Sequence, residues 1–387
     1  MASPEQSADC IVIGAGPAGL AAARELMRSG RRVLVLEQGD AVATSWRAHR
    51  EGLRLHTVRR LSGLPGTRIP RGYGRYVTSA NLVRYLERYT ADSGIDVRHG
   101  VVVTAIERAD AAGRRPAWTV ATASGRRYTA ATVVMATGYN RLPHIPGLPG
   151  LPDYARPVLH VSEYGGGDQF SGLDVLVVGA GNAAAEAAAE LAAHGAGRIR
   201  LSVRTPPHIV RPRVGGLSMQ RVAILMGLVP TGAADRVAAV IERLTVPDLS
   251  ARRLARPRAD LYTRVARDRS VPVHDTGIVA LVESGAVEPV AAAAGFEGGA
   301  VHLADGATVE PDVVVFATGY RRGLERMLAG LGLLDGRGDP IARSGTEAAP
   351  GFYFVGFTVS ASGALRRIAA DARRVGRAER LKGRGRA

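Results

Sequence analysis

Gly14, Gly16 and Gly19 stand in the spacing GxGxxG, between the apolar run DCIVI (residues 9–13) and the helical pattern LAAARELMRSG. In such a place the first glycine permits a tight turn, the second lets a pyrophosphate approach backbone, and the third lets helix and strand pack closely. The helix N-terminus adds unpaired N–H groups and a partial positive charge. Glu37 closes the next apolar run, RRVLVLE, where a carboxylate can accept from ribose hydroxyls. Strand, glycine turn, helix and acid in register make a dinucleotide site. A glycine turn used only for packing leaves Glu37 unexplained.

The unit recurs at DVLVVGAGNAAAEAAAELAAHGAGRIRLSVR, where Gly179 and Gly181 hold the first two positions and Ala184 the third, an accepted variant. No acid ends its second strand; Arg204 and Thr205 stand there instead. An arginine at that place can pair with the 2′-phosphate that distinguishes NADPH from NADH, whereas a carboxylate repels it. The other reading is an arginine on a solvated edge. Asn182 occupies the first turn of the second helix, where its amide could reach a nicotinamide ribose or satisfy free N–H groups.

These residues need elements to hold them. TVVMATGYNRLP (132–143) and DVVVFATGY (312–320) are apolar strands that each end in Ala-Thr-Gly-Tyr. Alternation between residues 98 and 130 (VVVTAIER, WTVATASG) predicts an antiparallel strand set. The fold expected is α/β with two dinucleotide-binding, Rossmann-like domains. The first is discontinuous, residues 1–153 and 310–387, and the second, 154–309, is inserted into it. Segment 215–250 reads as helical and apolar; a cap over the site or ordinary packing is expected there ahead of an amphipathic membrane contact.

At 387 residues, 46% hydrophobic and 22% charged, the composition is that of a globular protein. The apolar stretch from Cys10 to Met27 is dense with glycine and broken by Arg24 and Glu25, so neither a signal peptide nor a membrane span is expected, and the cytoplasm is the expected compartment. Cys10, the single cysteine, suits a small buried hydrophobe and permits no CxxC pair. A net charge of +16 comes almost wholly from scattered arginine, Lys382 being the only lysine, so no nucleic-acid partner is inferred. The basic end, from Arg373 to Arg386, reads as a frayed, solvated tail. No pattern of histidine with cysteine or carboxylates implies a metal.

The order GAGPAG, TSWR with GLRLHT, VVMATGY, His160 with Tyr164, GAGNAA, VVFATGY and YFVGFT resembles the class B flavin-dependent monooxygenases, and within them the YUCCA-like branch of the flavin-containing monooxygenases. The stretch HVSEYGGGDQFSGLDVLVVGAGNAAAE is the most specific part; GLSM (216–219) and GFTVSASGA (356–364) also look like that branch. The resemblance implies FAD on the first site and NADPH on the second. It further implies a C4a-(hydro)peroxyflavin that passes one oxygen atom of O2 to a small organic substrate, by oxidative decarboxylation of an aromatic 2-oxo acid or by N- or S-oxygenation. Baeyer–Villiger oxygenation of a ketone, or a reductase or oxidase without oxygenated product, are the alternatives. Carried over by position, Gly14, Gly16, Gly19, Glu37, Gln38, Trp46 and Arg47 are implied as FAD contacts. Gly179, Gly181, Asn182, Ala184, Arg204 and Thr205 are implied as NADPH contacts, and Thr137, Gly138, Thr318 and Gly319 as linkers near the cofactors. His160, Tyr164 and Asn182 are the implied catalytic residues. The chain departs from the family's FxGxxxHxxx[YF] in carrying Tyr154 and Arg156, and from GGxW in carrying Ala43 and Thr44.

Overall fold

The computed structural model describes residues 6–49, 53–109 and 117–384. Gly52, at the start of the GLRLHT motif, and Arg386 lie outside them. The chain forms two compact units, Met1–Leu142 with Arg321–Thr358 and Gly363–Ala387, and Pro143–Tyr320 with Val359–Ser362.

The first unit begins with β1 (Gln6–Ile13), α1 (Pro17–Met27) and β2 (Val33–Leu36). Helix α2 (Ser79–Ser93) starts at Thr78, whose hydroxyl accepts from Asn81 N–H at 3.2 Å, and leads to β3 (Asp96–Arg98). Then come β4 (Val103–Ala109), β5 (Ala117–Thr122) and β6 (Arg127–Met135), the antiparallel set that alternation predicted. β1 is parallel to both β2 and β6, with Ile13 opposite Leu36 on one side and Met135 on the other. Because successive side chains of a strand leave by opposite faces, the continuous run CIVI fills two cores. Cys10 and Val12 pack with Leu20, Leu86 and Tyr89, while Ile11 and Ile13 pack with Trp118 and Phe354. Cys10 is fully buried, and burial pushes its thiol up to about 12.

The second unit carries β7 (Val158–His160), β8 (Asp174–Val178), α3 (Asn182–Ala193) and β9 (Arg198–Val203). A helical segment follows, α4 (Met219–Met226), α5 (Thr231–Thr245) and α6 (Leu261–Asp268), before β10 (Glu288–Ala291) and β11 (Val313–Phe316). The strands form one parallel sheet in the order β7-β11-β8-β9-β10. The expected crossings at 153/154 and 309/310 both move outward for this reason. β11 is an interior strand of the second sheet, and Leu148 and Leu151 pack against that unit's Phe296 cluster.

Back in the first unit, β12 (Glu347–Ala349) and β13 (Phe352–Phe354) add to its sheet, with β13 parallel to β6. The chain then forms α7 (Ala364–Arg384), which replaces the frayed tail that its charge suggested. Several of its basic residues have partners. Arg374 meets Asp371 at 2.7 Å and Lys382 meets Glu379 at 2.9 Å, while Gly376 allows the close crossing with α1, since a Cβ there would lie 2.8 Å from Glu25 O.

Candidate functional site

The two glycine turns are built alike. Gly14 sits at φ +103, and a Cβ on it would lie 2.7 Å from the carbonyl oxygen of Ala136, at the end of β6. Gly179 sits at φ +136, and its Cβ would lie 2.5 Å from the carbonyl oxygen of Ala317, at the end of β11. Both alanines open an Ala-Thr-Gly-Tyr motif, so each motif backs the first glycine of one turn. Gly19 is fixed by close packing, since its Cβ would come 1.8 Å from Gly14 O, and Ala184 at the matching place in α3 is fully buried.

Gly16 and Gly181 differ from these. Each is the N-cap of its helix in extended backbone, neither helix start is capped by a side chain, and a Cβ on either would meet nothing within 4 Å. Packing therefore demands glycine at neither place, while approach of a phosphate to the first-turn N–H groups demands it at both. Thr137 adds a second sign in the first unit, its hydroxyl buried without a partner beside Gly14. Gly138 follows at φ +91. A dinucleotide fits these features in both units.

Glu37 is buried at the end of β2 and tied into the glycine turn. One oxygen accepts from Ala15 N–H at 2.6 Å and the other from Gly39 N–H at 2.9 Å, charge-assisted bonds of about 1.5–3 kcal/mol each. Oε1 also accepts from Thr44 Oγ1 at 3.3 Å, so it is Oε2 that keeps a lone pair for a ribose hydroxyl. Gln38 is exposed beside it. The altered GGxW stretch keeps a left-handed residue, Ala43 at φ 61, whose N–H donates to Ala15 O at 3.0 Å. Sequence reasoning missed this second clamp on the turn, because alanine gives no signal for left-handed backbone. Trp46 packs against the core, and Arg47 is turned to Glu87 and to Val42 O.

In the second unit Arg204 and Thr205 follow β9, both exposed, and Arg204 has no partner among the described residues. Two implied catalytic residues take structural places. Tyr164 is core, stacked on Phe170 with ring centres 5.1 Å apart. The Asn182 amide donates to Pro272 O at 3.0 Å and accepts from His274 N–H at 2.8 Å, so it holds segment 272–274 and does not cap the helix. His160 is 1% exposed. Its Nδ1 accepts from Ser162 N–H at 3.2 Å, which leaves the proton on Nε2 to donate to Gly319 O at 3.1 Å. It is a positioning residue for the second Ala-Thr-Gly-Tyr motif, in which Thr318 donates to His144 O. Arg156 replaces the family's glycine without strain, since its φ is not positive. Pro272 and His274 line an apolar cavity of about 40 Å³ with Met219, Met226, Ile241 and Leu261, a feature assembled from distant segments that no local pattern announces.

A family profile described as pyridine nucleotide-disulphide oxidoreductase matches residues 11–214. The chain is 33% identical over 360 residues to indole-3-pyruvate monooxygenase YUCCA1 of Oryza sativa subsp. japonica, covering 90% of this chain and 86% of the relative. It is 30% identical to the probable indole-3-pyruvate monooxygenase YUCCA3 of Arabidopsis thaliana, covering 90% and 82%. Among solved structures, a variant of the flavin monooxygenase from Stenotrophomonas maltophilia matches with TM-score 0.75 and 24% identity over 98% of this chain and 99% of that one. An ε-caprolactone-bound cyclohexanone monooxygenase matches with TM-score 0.73 and 19% identity, covering 98% and 88%.

Two outcomes follow from this geometry. Gly16→Val fills the open side of the first turn, so the purified variant should fold with an unchanged far-ultraviolet spectrum yet lose its flavin absorbance; a yellow Gly16→Val protein would refute the site. Burial holds His160 below the ordinary histidine value, so the unfolded chain takes up the proton first. Its contribution to stability is complete above about pH 6.5 and is lost as pH falls through the lowered folded value. Urea midpoints at about pH 7.5 and about pH 5 should therefore fall less in His160→Gln than in the parent, and equal falls would contradict the assignment.

Proposed function

We propose, for a chain that belongs to the class B flavin-dependent monooxygenases and their YUCCA-like branch, that the first unit holds FAD, the second holds NADPH, and the substrate is an aromatic 2-oxo acid. As a member of that family the protein uses FAD and NADPH to transfer one oxygen atom from O2 to a small organic substrate. The observation that supports the cofactor assignment is the pair of glycines, Gly16 and Gly181, that no packing contact requires. The substrate class is supported by the relatives named for indole-3-pyruvate.

When bound, NADPH supplies hydride, and FAD supplies the ring that carries the electrons to O2. The chain's residues bind and orient. The uncapped starts of α1 and α3 present N–H groups to the pyrophosphates, and Glu37 accepts from the FAD ribose while bracing Ala15. Thr137 offers its buried hydroxyl beside the first turn. Arg204 pairs with the 2′-phosphate. His160 keeps Gly319 in place through a neutral imidazole, so no charge is added when the linker is fixed. A dithiol relay of the kind the broader family's description suggests needs two cysteines, and this chain has one, buried.

The test is to supply NADPH and isotopically labelled O2 with a panel of 2-oxo acids, amines, sulfides and ketones. Label in the carboxylic acid formed from an aromatic 2-oxo acid, with release of CO2, is the expected result. Label only in amine, sulfide or ketone products would remove the oxo-acid assignment, and NADPH oxidation without labelled product would move the protein to the reductases or oxidases. Arg204→Ala should raise the KM for NADPH by about one to two decades, the equivalent of a charge-assisted contact of about 1.5–3 kcal/mol, and leave that for NADH nearly unchanged. Equal changes for both coenzymes would show that Arg204 does not read the phosphate.

A further inference from the structure

Helix α5 is turned the wrong way round for a helix on a water-facing surface. Ala233, Val237, Val240 and Leu244 recur at the helical period and all face out, with Leu244 81% exposed. Its two acids face in and are fully engaged. Asp235 accepts from Tyr262 N–H and Thr263 Oγ1, both at 2.6 Å, and Glu242 accepts from His208 and from Ile209 N–H. The apolar strip continues around the turn from α4, where Leu225, Leu228 and Val229 are exposed, Leu228 at 82%. Large apolar side chains gathered on an exposed face mark a surface that another phase or partner covers.

The charges on this segment say which. Between residues 211 and 245 the only acids are the buried Asp235 and Glu242. The exposed charges are Arg213, Arg221, Arg236 and Arg243, none with a partner among the described residues. Arg236 and Arg243 flank the apolar strip of α5 on one side, as the helical spacing dictates. A second copy seated on the same face would bring arginine against arginine across a two-fold interface, at an electrostatic cost. A surface that is apolar beneath and anionic above satisfies both features at once. Among the described residues no helix is long and apolar enough to cross a membrane, so contact would be with one leaflet only.

We propose that the α4–α5 hairpin is a peripheral membrane-docking face that seats Leu225, Leu228 and Leu244 in the boundary of an anionic phospholipid bilayer, with Arg221, Arg236 and Arg243 against its headgroups. Val237 lies on this face and also lines the apolar cavity that holds Met219 and Met226, so the cavity borders the docked surface.

The test uses the full-length flavoprotein and vesicles of phosphatidylcholine with and without phosphatidylglycerol, read by co-sedimentation. Binding should require phosphatidylglycerol and weaken with salt. Leu228→Glu combined with Leu244→Glu should reduce it by about tenfold or more with flavin content and oligomeric state unchanged, and so should Arg221→Gln with Arg236→Gln and Arg243→Gln. Absence of wild-type binding to the anionic vesicles would overturn the proposal, as would undiminished binding by either variant. A wild-type dimer that the glutamate variant converts to monomer would overturn it too, by assigning the face to a second copy of the chain.

Discussion

The fold of each unit turns on one close approach, that of the first glycine of the nucleotide turn to the carbonyl that ends the neighbouring strand. At 2.7 Å between a notional Cβ and Ala136 O, and 2.5 Å for Ala317 O, no side chain can stand at Gly14 or Gly179. The backbone must also turn there with positive φ, which only glycine adopts freely. Once that contact is made, β1 lies beside β6 and β8 beside β11 in parallel register, and the helix that follows each turn must start at the strand ends. The uncapped N–H groups thus collect where two strands finish, the usual ligand crevice of an open parallel sheet.

What differs between the units is how each turn is braced. In the first, a carboxylate reaches across from β2 and binds the turn's own backbone, and the left-handed Ala43 ties down the same residue from the other side. In the second, the corresponding strand ends in arginine, and the bracing comes from Asn182, which fastens α3 to segment 272–274. An acid can both brace and bind a neutral ribose. Arg204 leaves the second corner cationic, and the turn takes its support elsewhere.

Much of this was legible in the sequence because it is local. The glycine spacings, the apolar runs before them, Glu37 and Arg204 all follow from a few residues of chain, and the structure places them at the ends of the expected strands. What the sequence left open depends on three-dimensional partners, some near along the chain and some far. Tyr164 finds Phe170 and the core, Asn182 finds Pro272, and the basic terminus finds acids on its own helix and a glycine crossing with α1. The boundaries slipped because β11 reads like any apolar strand, and only pairing shows that it lies between β7 and β8. The polarity of α5 was hidden too, since a helical period fixes which residues share a face but not which face meets water.

The buried thiol of Cys10 makes the first unit self-reporting. It lies within β1, at the centre of the sheet that carries the glycine turn, and no other cysteine exists to compete with it. A thiol reagent in solution reaches it only when that sheet parts, so the rate of alkylation measures the opening of one unit while the other contributes no background. Since β1 leads directly into Gly14, ligand occupancy of that turn and the lifetime of the sheet become a single linked equilibrium, readable from a native chain without any introduced label.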